Sequence, residues 1–306
     1  MAALYAPRYY AAFQCKADRC SHSCCVGWEI DIDEEALALY RSLPGAIGKE
    51  IREAIDETDA PHFRLGADER CPLLDGRGLC RIISTVGEGY LCDICREHPR
   101  FYNTVGGRLE GGLGASCEEA ARLILEEGDY ATLLPLGTPD SVCAPCGFDA
   151  TPLRTRLFTC LSDQAQPLEW RLAAIEQALS LPAPLTVEAC RPLFAGLEYL
   201  DERHKALFLS CTTPPIPQGE QDALYERFFA YLVYRHASGA EDERGFCCAA
   251  RMARLLSDLF LALQGQHGLL PVEAAVMISE EIEYSEENTQ ALLLACAQGM
   301  PPLHRM

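Results

Sequence analysis

Cys15-Lys-Ala-Asp-Arg-Cys20-Ser-His-Ser-Cys24-Cys25 places four thiols within eleven residues of a 306-residue chain. Thiolates are soft, strong ligands for zinc and for iron–sulfur clusters, so a run this dense predicts a metal-organised loop. Outward from it come Cys71-Pro72 and Cys80, then Cys95-Arg96 ahead of Pro99-Arg100, then Ser116-Cys117-Glu118-Glu119. The predicted metal ligands are therefore Cys15, Cys20, Cys24, Cys25, Cys71, Cys80, Cys95 and Cys117. Eight thiols suit either one cluster with spares or two four-ligand sites, because adjacent side chains such as those of Cys24 and Cys25 diverge. Cys92 reads equally as a further ligand or a spare thiol, and His22 and His98 lie close enough in sequence to be weighed. Cys24 is followed at once by Cys25 and not by a cysteine three residues later, so the spacing usual for radical S-adenosylmethionine enzymes is absent.

Composition narrows the class. With 49% hydrophobic and 23% charged residues the chain resembles an ordinary globular protein. Its formal charge of −19 and its lack of basic runs argue against a nucleic-acid partner. The opening Met1–Arg8 lacks a basic start followed by an apolar stretch, and no apolar run reaches the ~18 residues needed to span a bilayer. The expected compartment is the cytoplasm, away from membranes. Thiols stay reduced there, so clustered cysteines favour metal over disulfides.

Three regions follow: a cysteine-rich region over 1–131, a Pro/Gly-rich linker or seam over 132–152, and a helical domain over 153–306. In the first, Tyr9–Cys15 and Trp28–Ile32 have strand character. Asp33 caps a helix to about Ser42, and another is expected from Ala46 to Glu57. Asp75-Gly76 predicts a turn that folds Cys71 back toward Cys80. Gly106-Gly107, Gly111-Gly112 and Gly114 fit a β-hairpin better than a nucleotide loop. Ser116 with Glu119 reads as a capping box, which puts Cys117 at a helix start. Beyond the seam, helical spacing runs through Pro152–Cys160, Leu168–Leu181, Ala189–Ser210, Gln221–His236, Arg244–Gln264 and Val272–Gln298. The fold class is thus mainly α: a metal-organised region of short strands and helices, then a helical array or bundle.

Cys143 and Cys146 form a dithiol motif without the strand–helix context of a thioredoxin. Cys160, Cys190, Cys211, Cys247, Cys248 and Cys296 read as small core residues. The acidic run from Ser279 to Asn288 would set Glu280, Glu283 and Glu287 on one helical face. A plain exposed surface is its simpler account, and a receiver for a lysine ammonium its sharper one.

The cysteine blocks, together with Gly87–Leu91, Ser116–Arg122 and the closing Glu281-Ile-Glu283-Tyr284-Ser-Glu-Glu-Asn288, resemble the flagellin lysine-N-methylase family. The first blocks are also similar to a wider group of zinc- or iron-chelating cysteine-cluster proteins. The resemblance implies methyl transfer from S-adenosylmethionine to lysine ε-amines of flagellin, beside a cysteine-ligated iron–sulfur cluster (a 4Fe–4S cluster) or zinc. It makes Glu281, Glu283 and Tyr284 the candidate catalytic residues, and it locates no methyl-donor pocket. Two other functions stay open: a non-catalytic metal- or cluster-binding protein for redox sensing or partner recognition, and a dithiol oxidoreductase using Cys143 and Cys146.

Overall fold

The structure is a computed structural model that describes residues 4–21, 23–58, 60–66, 69–137, 147–298 and 300. Cys143, Cys146 and His22 lie outside the described residues. The chain forms two compact units, one of Gln14–Arg100 with Cys117–Glu119, the other of residues 1–13, 101–116 and 120–306.

The cysteine-bearing unit is built on the helices Glu34–Ser42 and Gly45–Ala54. Asp33 starts the first of them, accepting the Ala36 N–H at 2.8 Å as an N-cap should. Its other oxygen accepts the Asp93 N–H at 2.7 Å, which anchors the short helix Asp93–Glu97 behind Cys92. Leu37, Tyr40, Ile47 and Ile51 face inward and bury against Ile30, Phe63, Leu73 and Ile82. The second helix stops at Ala54, short of the expected Glu57, because Ile55–Asp56 turns out to pair with His62–Phe63. Trp28–Ile32 does alternate, burying Ile30 and Ile32, yet it makes a single bridge, Asp31 to His62, rather than a strand. The turn after Cys71 forms as predicted. The Asp75 carboxylate accepts the N–H groups of Arg77 and Leu79, and Leu74 bridges to Cys80.

The second unit holds a four-stranded sheet in the order Arg100–Val105, Arg108–Leu113, Leu4–Ala6, Leu134–Leu136. Leu4–Ala6 runs parallel to Arg108–Leu113 (Tyr5 opposite Glu110) and antiparallel to Leu134–Leu136. The predicted hairpin is present, its two-residue turn made by Gly106 and Gly107 at φ +56° and +80°. Two successive positive φ values suit the right-handed twist of a tight hairpin and favour glycine at both places. The expected strand over Tyr9–Cys15 is instead the short helix Arg8–Ala12, which follows directly on the strand Leu4–Ala6.

Helices make up the rest. Glu243–His267 is capped by Asp242 at one end and by Gly268, at φ +72°, at the other. It is apolar on nearly every side and therefore central: Phe246, Leu256, Leu259 and Phe260 are fully buried, and Phe260 stacks on Phe228 at 4.5 Å. Cys190, Cys211, Cys247, Cys248 and Cys296 are buried, as core thiols should be. Two helices expected to be continuous are broken. Ala189–Ser210 splits into Arg191–Ala195 and Glu202–Ser210, and Val272–Gln298 into Pro271–Ile278 and Glu286–Cys296.

A buried charge pair ties sheet to helix: Arg154 donates to both oxygens of Glu110 and to the Ser238 hydroxyl. Truncating one member strands the other without water. Arg154→Met is expected to cost about 3 kcal/mol, softened by the second partner Arg108, and urea denaturation will read the loss as a lower midpoint.

Candidate functional site

The first half of the acidic run is buried and is no exposed face: Glu280, Glu281 and Glu283 keep 5%, 1% and 8% of their surface. The reason is local. The chain widens into a π-helical turn over Ser279–Glu283, and Ser285 then caps a new helix through the Asn288 N–H. The register slips, so Glu287 is exposed and does not share a face with Glu283. A second π-helical turn, Val233–Ala237, ends the helix Glu220–Leu232.

These two turns meet at Glu283. Its Oε1 takes the His236 Nε2 at 2.6 Å and the Arg235 Nε at 3.3 Å. Its Oε2 accepts the Tyr231 hydroxyl at 2.8 Å. Tyr231 in turn accepts the Ala115 N–H at 2.9 Å, which links the end of the sheet to the site. The Arg235 guanidinium lies 5.0 Å from the ring centres of both Phe101 and Tyr284, an aromatic sleeve that suits a buried cation. Burial opposes the charged form of Glu283, but Arg235 and the His236 hydrogen bond outweigh it and hold the carboxyl at about 2. A neutral His236 that donates Nε2–H to this carboxylate keeps Nδ1 as a proton acceptor.

Gly114 is the position that lets this site close. A Cβ there would stand 2.5 Å from both the Arg235 Nη1 and the Tyr284 hydroxyl. Gly112 is pressed likewise by the Phe101 ring. The glycines that hint at a nucleotide loop are thus explained by close packing.

Glu281 does something else. It accepts the N–H groups of Leu200 and Asp201 at 2.8 and 3.2 Å and holds the His204 Nδ1 at 2.6 Å, pinning the start of Glu202–Ser210. The three acidic-motif candidates therefore separate: Glu283 and Tyr284 share one cluster around Arg235, and Glu281 serves another. Tyr231, Arg235 and His236 are not among the residues that the sequence singles out. Nothing but their place at the end of an apolar helix marks them, and that signal is too common to be read.

In the other unit the thiols converge in two sets. Glu118 pairs with Lys16 and accepts both the N–H and the hydroxyl of Ser21 at 2.7 and 2.6 Å, drawing the first cysteine loop onto the segment 117–119. Burial opposes the Glu118 charge, yet Lys16 and Ser21 hold the carboxyl at about 2. Cys20 and Cys24 each thereby come within electrostatic reach of Cys15 and Cys117. Cys25, Cys71, Cys80, Cys92 and Cys95 form the second set around the core. The Cys24 thiol bonded to Cys25 pulls Cys25 down to about 7, and Cys95 does the same for Cys92. Cys92 thus belongs with the other thiols. Cys117 directly precedes the helix Glu118–Glu126 as predicted, but the buried Ser116 hydroxyl has no hydrogen-bond partner, so its half of the capping box is not made. By chemistry these donors suit zinc or an iron–sulfur cluster. Their positions do not complete a shell: among the described residues no three His, Cys, Asp or Glu side chains are arranged to hold a metal ion, and the expected metal-organised region is not seen as such.

Glu283 titrates lower in the folded chain than its ordinary 4.5, so its contribution is full above that pH and fades as pH falls through about 2. Glu283→Gln is expected to lose about 3 kcal/mol near neutral pH. Chemical denaturation should show the gap from the parent shrinking steadily under acid. Gly114→Ala is expected to cost about 1–3 kcal/mol by overpacking, with Tyr284→Phe in the same chain recovering part of the loss in thermal melts.

Among the described residues no helix is long and apolar enough to cross a membrane. No protein-family model matches the chain, and no solved structure matches it. Three curated proteins are similar to it over 134 residues, 42% of its length. The flagellar biosynthetic protein FliU of Salmonella muenchen is 28% identical, with 79% of its own length covered. Two proteins named lysine-N-methylase, from Salmonella typhimurium and Salmonella choleraesuis, are 27% and 28% identical. The match spans about a third of the length of each of these two (33%). At this level the chain is a distant relative of proteins bearing flagellar and lysine-methylase names.

Proposed function

We propose that this protein is a protein-lysine N-methyltransferase that carries the methyl group of S-adenosylmethionine to lysine ε-amines of a flagellar protein, flagellin being the expected substrate. The cysteine unit is proposed to bind zinc or an iron–sulfur cluster, with no direct part in the methyl transfer. The relatives' names support the reaction class, and one observation supports the site: the His236–Glu283 pair, a proton acceptor held in place by a buried carboxylate.

Such a pair answers the main chemical need of the reaction. A lysine ammonium has no lone pair, so it must first lose a proton, and His236 Nδ1 is the group proposed to take it. The neutral nitrogen then attacks the methyl carbon in line. The N–CH3 bond forms as the S–CH3 bond breaks, and S-adenosylhomocysteine leaves with the electron pair. Glu283 acts through His236 as a positioning residue. Tyr284 and Phe101 keep the Arg235 charge clad, and Glu281 maintains the fold around them. A cluster or zinc in the cysteine unit would supply structural or redox-sensing chemistry.

A second reading, a metal- or cluster-binding protein for redox sensing or partner recognition without methylase activity, is favoured by the convergence of nine thiols in one unit. Protein purified without oxygen, assayed for iron, sulfide and zinc and incubated with S-adenosylmethionine and flagellin, is expected to yield methylated lysine by mass spectrometry. His236→Gln should lower that rate by about 10²–10⁴-fold with the melting curve kept. No methylated lysine from a folded, metal-replete sample leaves the second reading standing alone, and metal content unaltered by Cys20→Ser, Cys24→Ser and Cys25→Ser removes the metal assignment.

A further inference from the structure

Behind Tyr231 lies a small hollow whose walls include four tyrosines, Tyr9, Tyr130, Tyr231 and Tyr234, with Glu127 and Arg227 also lining it. All four tyrosines are nearly buried, none keeping more than 9% of its surface. Three of the hydroxyls are directed at acceptors in the protein: Tyr130 donates to Glu226, Tyr231 to Glu283 and Tyr234 to the Gly111 carbonyl. A phenol that donates to a carboxylate or carbonyl enriches its own ring in electron density, and the faces of such rings attract cations. Those hydroxyls are committed to the protein, so what the hollow offers a guest is largely aromatic surface and the Glu127 carboxylate. That carboxylate is near enough to Tyr9 to help burial raise its pKa. At its centre there is room for one water-sized group, which is the size of a primary ammonium head. Half-buried Glu127 and Arg227 leave the rim open to solvent.

The geometry points to a cation site for a primary ammonium, the head group of a lysine side chain. As a substrate subsite it rests on the methyltransferase reading. Tyr231 joins the two places, since its ring lines the hollow and its hydroxyl holds Glu283. Arg227 sets the sign of the test. Its guanidinium, which donates to the Leu125 carbonyl, lines the hollow and repels a second cation.

The experiment titrates methylammonium into the full chain carrying ring-13C tyrosine and follows the ring resonances by NMR, with methanol as the neutral control of similar size. Saturable shifts with methylammonium and none with methanol are expected. Glu127→Gln should weaken binding about tenfold and Arg227→Met should tighten it several-fold. These are rim substitutions of opposite sign, so a folding defect cannot imitate the pair. Equal response to methanol, no saturation, or unchanged binding in both variants overturns the site. Methylammonium binding without any methyl transfer would sink the methylase reading and leave the cation site standing. Methyl transfer whose KM for flagellin is the same in both variants would do the reverse.

Discussion

A carboxylate taken out of water must find its compensation in the protein, and the second unit is arranged around one that does. Glu283 receives a guanidinium, an imidazole and a phenol, each from the helix Glu220–Leu232 or the π-helical turn that ends it. In an ordinary α-helix Tyr231 and His236, five residues apart, would point about 140° away from each other and could not both reach one carboxylate. The extra residue in Val233–Ala237 corrects this, and the matching widening at Ser279–Glu283 turns Glu283 inward. Each π turn forgoes regular hydrogen bonding, a cost that the interactions at Glu283 offset.

The remaining charges of that unit are handled the same way. Arg154 with Glu110, Arg171 with Glu226 and Arg254 with Asp258 are buried pairs with further polar partners in Ser238, Tyr130 and Tyr225. Buried pairs add little net stability over apolar packing, but each tolerates one arrangement only, so together they specify how the helices register. The cysteine unit uses a different device. Two carboxylates, Asp33 and Glu118, gather backbone N–H groups from distant loops and so bring separate cysteine segments together.

Much of the fold was legible in the residues. Period-3.6 spacing located the helices, Asp33 is a capping residue by chemistry, Gly106-Gly107 announced a hairpin and Asp75-Gly76 a turn. Each of these rests on local rules that act within a few residues. The break inside Val272–Gln298 was not legible, because a π turn has no compositional mark and helical spacing continues through it. The exposed-surface account of the Glu-rich run failed for the same reason: density of charge says nothing of where the partner charges lie, and His236 and Arg235 are some fifty residues away along the chain.

Sequence by itself determined the helical class, the thiol-rich first half and the hairpin. Only the tertiary structure decided that Glu281 and Glu283 serve different neighbours, that the adjacent thiols of Cys24 and Cys25 hydrogen-bond to each other, and that four tyrosines from three segments line one hollow. Local periodicity is written in adjacent residues, whereas charge compensation and cavity walls are made by side chains far apart in the chain, which meet only once it has folded.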